Sequence, residues 1–295
     1  MNSFAFCTSF YESARPYLED CMRGIIRAGE GHDCAVVVAI DGLRDSARTL
    51  EPLAAVMPVH TVDVAPGASI AKVREAMLRC ASTVAVDALV LIDADDWPLE
   101  AALDLHGERL ETASFSYGDM KVVNAEGVSL NRMFYSGSDI PEETADDAQI
   151  LDCNWLGFSN TAFRREDLQD NLLSIPESIT AVDWWFYTTL LRNGARGLKT
   201  RAPVVAYRMH DQNILGASPG MLVEDLRARC KIVLRHYEAA GFGDRTSDRA
   251  EAIRHLDARL ASPNEELLAR IRETQSKPGV WHEDVLRLAS PVSIQ

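Results

Sequence analysis

At 295 residues, with 47% hydrophobic and 25% charged side chains, the chain has the makeup of a soluble globular protein. Its length suits one large α/β domain, or one domain with an appendage. A formal net charge of −14 argues against nucleic acid or an anionic membrane surface as partner.

Six scattered cysteines (Cys7, Cys21, Cys34, Cys80, Cys153, Cys230) show no Cys-x-x-Cys and no paired Cys/His spacing. Reduced thiols are expected, not a disulfide framework or a zinc site. The first residues lack the basic start and apolar stretch of a signal peptide. No apolar run approaches the roughly 20 residues of a transmembrane helix. These features predict a cytoplasmic protein with no integral membrane segment.

In chain order, residues 4–9 read as a first strand, followed by a helical pattern from Tyr17 to Ile26 that stops near Gly29. Cys34 to Ile40 is a nearly continuous β-branched run, the mark of a strand covered on both faces, ending at Asp41-Gly42. A helix around 47–56, a strand at 59–64 and a helix at 70–80 capped by Ser69 come next, then a strand at 88–92. Strand and helix alternate, so a mostly parallel sheet is expected, with ligands beyond the carboxyl ends of its strands. The pattern predicts a helix from Pro98 to about Thr112, then strands at 114–123 and 128–135 about a hairpin turn at Asn124–Gly127. Residues 136–150 are acidic and aperiodic, and read as a mobile surface loop and candidate substrate lid. A strand-like run at 153–158, an aromatic helix opening at Asp183 and a last strand at 204–208 lead to a loop at His210–Asn213. Charged helices follow from Met221: 222–238, 248–260 and 264–274.

The segment Leu89-Val90-Leu91-Ile92-Asp93-Ala94-Asp95-Asp96-Trp97-Pro98 ends a buried strand in three carboxylates. Alternation places Asp93 and Asp95 on one side of the chain. Two carboxylates there make an oxygen site for Mg²⁺ or Mn²⁺, cations that complete their shell with substrate phosphates and water. The competing reading is a polar turn with Pro98 at the first position of a helix.

Taken together, CTSFYESARPYLEDCM, VVVAIDGLRDS, ASIAKVREAM, LIDADDWP, GFSNTAFRRE, VDWWFY and YRMHDQN resemble, in order and spacing, glycosyltransferase family 2. These are inverting, metal-dependent enzymes of the GT-A fold, and the likeness runs from about Phe4 to Asn213. The chain departs from the family at Cys7-Thr8-Ser9-Phe10-Tyr11, at Asp41-Gly42-Leu43, and at Val182, where an acidic residue often precedes the catalytic Asp. The resemblance implies a GT-A domain over 1–217, with a nucleotide-binding half to about residue 97 and an acceptor half beyond it. Residues 218–295 would form a helical C-terminal extension.

It implies that Asp93 and Asp95 are the Asp-x-Asp pair, Asp95 coordinating the cation and Asp93 meeting ribose or a metal-bound water, with Asp96 left open. Asp41 would accept the uracil N3–H of a UDP-sugar. Thr8, Phe10 and Glu12 would line the base pocket, and Arg74, with Lys72 beside it, would reach the nucleotide. Asp183 would be the base that deprotonates the acceptor hydroxyl, although a helix-start Asp is also what an N-cap looks like. His210 would complete the metal shell, with Arg208 as an alternative phosphate clamp. Trp155, Gly157, Trp184 and Trp185 would lie on the acceptor or sugar side, although aromatics on a helix more often pack in the core.

The implied partners are a nucleotide-sugar, UDP-linked first, and a glycan, lipid-linked or protein acceptor; a lipid-linked one would bring the protein to the inner membrane face. A homo-oligomer through the C-terminal helices is left open. A sugar-phosphate nucleotidyltransferase would want a glycine-rich loop after the first strand, and residues 7–16 hold no Gly. An Asp-x-Asp phosphatase carries its motif at its first strand, and a Rossmann dehydrogenase needs Gly-x-Gly-x-x-Gly. A non-catalytic scaffold that keeps the fold is the remaining alternative.

Overall fold

A computed structural model describes residues 3–210, 223–275 and 281–289. The first half alternates as the sequence predicts: β1 (Ser3–Tyr11), α1 (Leu18–Gly29), β2 (Asp33–Asp41), α2 (Ser46–Ala54), β3 (Val59–Asp63), α3 (Ile70–Ser82) and β4 (Ala88–Leu91). Ser69 caps α3, its side chain accepting from the Lys72 N–H at 3.4 Å. These four strands are parallel in the order β3-β2-β1-β4. Phe4, Phe6 and Phe10 of β1 are fully buried, each side chain worth about 1.5–3 kcal/mol of apolar burial. Because later strands lie on either side of β1, the carboxyl ends of β1, β2 and β4 open onto one crevice.

The second half supplies β5 (Trp97–Pro98), α4 (Ala102–Leu110), β6 (Phe115–Tyr117), β7 (Met120–Val123), β8 (Ser129–Met133), β9 (Glu143–Thr144), β10 (Thr161–Arg164), α5 (Val182–Arg192), β11 (Gly197–Lys199) and β12 (Val205–Arg208). β10, β6, β11 and β9 extend the main sheet past β4, while β5-β12-β7-β8 form a second sheet. The helix expected from Pro98 starts at Ala102, because Trp97-Pro98 instead pairs antiparallel with Ala206 and Val205. That two-residue strand is what brings the end of β12 to the carboxylate cluster. Gly24 of α1 permits the approach: a Cβ there would meet the Trp97 Cβ at 2.6 Å.

Three other expectations shift. The strand expected over 114–123 splits between the two sheets after Tyr117. Regular pairing expected at 153–158 begins only at Thr161, Asn154 making an isolated bridge to Trp281. Residues 136–150 are not a free lid. Glu143–Thr144 pairs with β11, Ile140, Thr144, Asp147 and Ile150 are buried, and Asp147 holds Arg192 and Arg245 at 2.7 and 2.9 Å.

The C-terminal helices are α6 (Val223–Ala239), α7 (Ser247–Leu260), α8 (Glu265–Gln275) and a short α9 (Glu283–Ala289) that the sequence pattern did not announce. The boundary expected at 217/218 lies outside the described residues. The helices are sewn to the core: the Tyr237 hydroxyl donates to the Leu151 carbonyl, and Trp184 of α5 is stacked between His236 and His282 at 4.0 and 4.7 Å. Among the described residues, no helix is long and apolar enough to cross a membrane.

Candidate active site

A cleft of about 340 Å³ opens at the shared strand ends. Ser9 and Tyr11 from β1 line it, with Ser13, Ala14 and Tyr17 from the turn that follows, Asp41 from β2, Arg74 from α3, and Asp93, Asp95 and Asp96 beyond β4. Gly157, Phe158, Ser159, Thr180, Val182 and Asp183 close the far side, with Tyr207, His210 and Trp281. Of the residues expected at the site, Asp41, Arg74, Asp93, Asp95, Gly157, Asp183 and His210 therefore share one cleft.

Asp95 Oδ2 lies 2.9 Å from His210 Nε2. Tyr17 stacks on the His210 imidazole at 4.9 Å. Asp93 is held differently: Arg74 donates to its Oδ1, the Ser159 hydroxyl donates to Oδ2 at 3.2 Å, and its own N–H donates to the same hydroxyl oxygen. The Arg74 guanidinium rests over the Phe158 ring, 5.3 Å from its centre. Asp96 is buried; its Oδ1 accepts the Arg208 N–H at 2.7 Å, and Oδ2 finds no hydrogen-bond partner among the described residues. Burial, then the neighbouring Asp95 and Asp93, raise its carboxyl well above the usual range.

Asp183 sits in the first turn of α5, its Oδ1 accepting the Trp184 N–H at 2.8 Å. It is not the N-cap, which is Ala181. Burial pushes its carboxyl up to about 7, with the Asp93 charge adding to the rise, while the Trp184 N–H bond and Arg74 oppose it. A carboxyl of that affinity can accept a proton near neutral pH.

Several expected site residues lie elsewhere. Thr8 and Phe10 have no exposure and face the core, since alternation gives the cleft to Ser9 and Tyr11. Glu12 turns outward and pairs with Arg15 and Arg44 at 2.9 and 3.0 Å. Trp155 is in the core, its indole N–H donating to Thr144 Oγ1 at 3.2 Å, and Trp184 is the filling of the histidine stack. Arg208 is no phosphate clamp: it lies between Tyr17 and Trp97 and donates to Asp20 Oδ2 at 2.7 Å and to the Asp95 and Ala125 carbonyls. Asp211–Asn213, expected beside His210, lie outside the described residues. The sequence reading missed Ser9, Tyr11, Ser159, Tyr207 and Trp281; β1 is buried on both faces, so no polar alternation in its sequence marked the first two.

Neither a protein-family model nor a curated protein sequence matches the chain. Solved structures do. Residues 1–349 of S. aureus TarS superpose with a TM-score of 0.53 at 13% identity, over 98% of this chain and 89% of that one. The same fragment in complex with UDP-GlcNAc gives 0.52 at 12% identity, over 98% and 90%. The mannosyltransferase PcManGT from Pyrobaculum calidifontis, in complex with GDP-Man and Mn²⁺, gives 0.55 at 15% identity, over 89% and 70%. This chain has the GT-A glycosyltransferase fold. Two of these neighbour structures are complexes with nucleotide-sugars, UDP-GlcNAc and GDP-Man.

The donor set bears on whether such a fold would hold a cation here. Among the described residues no cluster of three or more His, Cys, Asp or Glu side chains is poised around one point. Asp95 and His210 do present a carboxylate oxygen and an imidazole nitrogen 2.9 Å apart. Two protein donors suit Mn²⁺ or Mg²⁺, which take their remaining ligands from diphosphate and water.

Proposed function

We infer that this protein transfers a glycosyl unit from a nucleoside diphosphate sugar, UDP-linked in the first instance, to an acceptor hydroxyl with inversion of the anomeric centre. The observation that carries the reading is the Asp95–His210 pair and the raised carboxyl of Asp183 facing one cleft. Asp41 would accept from the base, and Asp93, clamped by Arg74 and Ser159, would meet ribose or a water. Asp95 and His210 would hold Mn²⁺ or Mg²⁺, which when bound neutralises charge on the leaving diphosphate. Asp183 would take the acceptor proton as the hydroxyl attacks from the face opposite the diphosphate.

Electrostatics supports this division of roles. The cleft wall carries Asp41, Asp93, Asp95, Asp96 and Asp183, while Arg74 is the one Arg or Lys among the described residues that line it, and it is engaged by Asp93. A diphosphate would not enter such a field alone, so binding is expected to require the cation. The same shortage of basic groups disfavours a nucleotidyltransferase, which must hold a triphosphate. An unusually basic carboxyl in the cleft favours a working enzyme over a scaffold.

The test is calorimetric binding of UDP, GDP and CDP with Mn²⁺ or EDTA, wild type beside Asp95→Ala. Manganese-dependent binding of one nucleotide, abolished by the substitution, is expected. Absence of nucleotide binding with or without metal would overturn the reading.

A further inference from the structure

Trp281 comes to the cleft from the C-terminal segment, more than seventy residues beyond His210. It is 8% exposed and stands on the cleft wall. Its indole is fixed from several sides: Phe134 at 5.0 Å, Tyr207 at 6.2 Å and Tyr135 at 6.5 Å between ring centres. Its backbone bridges to Asn154, whose N–H donates to the Trp281 carbonyl at 3.1 Å. Gly157 underlies it, and a Cβ there would stand 2.5 Å from the indole Cη2. The next residue, His282, stacks on Trp184, the neighbour of Asp183. Trp281 therefore shares the cleft with the candidate base and is built as a rigid wall.

We propose that Trp281 is a specificity-determining residue for the acceptor, and that the acceptor is a saccharide whose pyranose ring lies along this wall. The assignment rests on the glycosyl-transfer reading above. The chamber joins two complementary demands: Asp183 accepts a hydroxyl proton, while Trp281, Tyr207, Val182 and Phe158 present ring and apolar surface. A pyranose answers both, with hydroxyls on its rim and C–H groups on its face. Aromatic side chains supply such contact with little flexibility to lose. Trp155 and Trp184, by contrast, are occupied inside the core.

The test is a titration of ¹⁵N-labelled protein, in which the Trp281 indole signal is one of five and is assigned by its loss in Trp281→Phe. With Mg²⁺ and UDP or GDP bound, methyl glucoside, galactoside, mannoside and N-acetylglucosaminide are added in turn. A saturable shift of the Trp281 signal with at least one of them is expected. In Trp281→Ala that pyranoside should bind about tenfold more weakly, with nucleotide affinity unchanged. If Trp281→Ala does not fold, Trp281→Phe and Gly157→Ala carry the comparison, a several-fold loss being expected of each. A bound nucleotide with no pyranoside shifting the signal would overturn the proposal in favour of a peptide or lipid acceptor. Equal loss of nucleotide and pyranoside binding would reduce Trp281 to a structural role and overturn it too. Failure of the wild type to bind nucleotide would instead strike the underlying function.

Discussion

Asp95 and His210, 115 positions apart in sequence, meet at 2.9 Å because the two-residue strand β5 pairs with β12. The pair depends on two further supports: Asp96 accepts the Arg208 N–H, and Tyr17 stacks on the imidazole. His210→Ala should therefore weaken manganese binding in the presence of nucleotide by at least about tenfold, the loss seen when even a group that merely orients a metal ligand is removed. Asp95→Ala should abolish it. Titration of Mn²⁺ followed by electron paramagnetic resonance checks both; unchanged affinity in His210→Ala would remove the imidazole from the shell.

Asp183 should leave its mark on activity and stability together. If it is the base, transfer rises with pH as the carboxyl ionises, through about pH 7. Asp183→Asn should lose about 10²–10⁴ in kcat, with nucleotide affinity retained. Its carboxyl is more basic in the folded chain than its ordinary value of 3.8, so the native state binds the proton more tightly than the unfolded one. Stability then falls as pH rises from about 4 to about 7, by an amount on the order of a few kcal/mol. Asp183→Asn, which keeps an acceptor for the Trp184 N–H, should melt higher than wild type at about pH 8 and converge with it near pH 4. Melting curves across that range decide it, and a variant less stable at the alkaline end would contradict the assignment.

Arg74 neutralises Asp93 in a cleft where carboxylates dominate. Removing it leaves Asp93 with the Ser159 hydroxyl and no adjacent cation, a partly buried charge worth about 1–2 kcal/mol after allowance for its solvent exposure. Arg74→Ala should lower both the melting temperature and nucleotide affinity, the latter about tenfold. Arg74→Lys should restore little, because an ammonium does not reproduce the guanidinium's placement over the Phe158 ring together with its hydrogen bond to Asp93. Full rescue by lysine would show that charge alone matters there.

The parallel half of the fold was legible because β2 carries a β-branched run, its helices a clear apolar period, and stops such as Gly29 and Asp41-Gly42 punctuate the alternation. Asp41, Asp93, Asp95, Arg74, Asp183 and His210 stood out as polar groups at strand and helix ends, which is where the cleft forms. Thr8 and Phe10 were placed on the wrong face because β1 is buried on both sides, so its sequence has no alternation to mark the cleft. Trp184 and Arg208 were chemically plausible but are bound inside the core, a fact set by distant partners, His236, His282 and Asp20. Trp281 could not be found in the same way. Its place at the cleft depends on how the C-terminal helices pack on the core, which their mixed charge does not reveal.

That packing turns on the His236–Trp184–His282 stack. Among the described residues neither ring nitrogen of His236 finds a hydrogen-bond partner, nor does Nδ1 of His282. Burial lowers both imidazoles: His236 well below its usual range, with His282 and Arg192 adding to the effect, and His282 to about 3, with Arg229 adding. Both are thus neutral in the folded chain, whereas unfolding would let them titrate near 6.5. The stability due to the neutral stack is complete above about pH 6.5 and is lost as pH falls toward 3. Acid should therefore loosen α6 and α9, and with them Trp281, before the parallel sheet opens. Hydrogen exchange at falling pH should show protection vanishing first in those helices and last in β1 and β2. His236→Phe keeps a stacked ring without the proton site, so it should move that opening to lower pH. Identical pH profiles in the two proteins would show that the stack does not set the acid response.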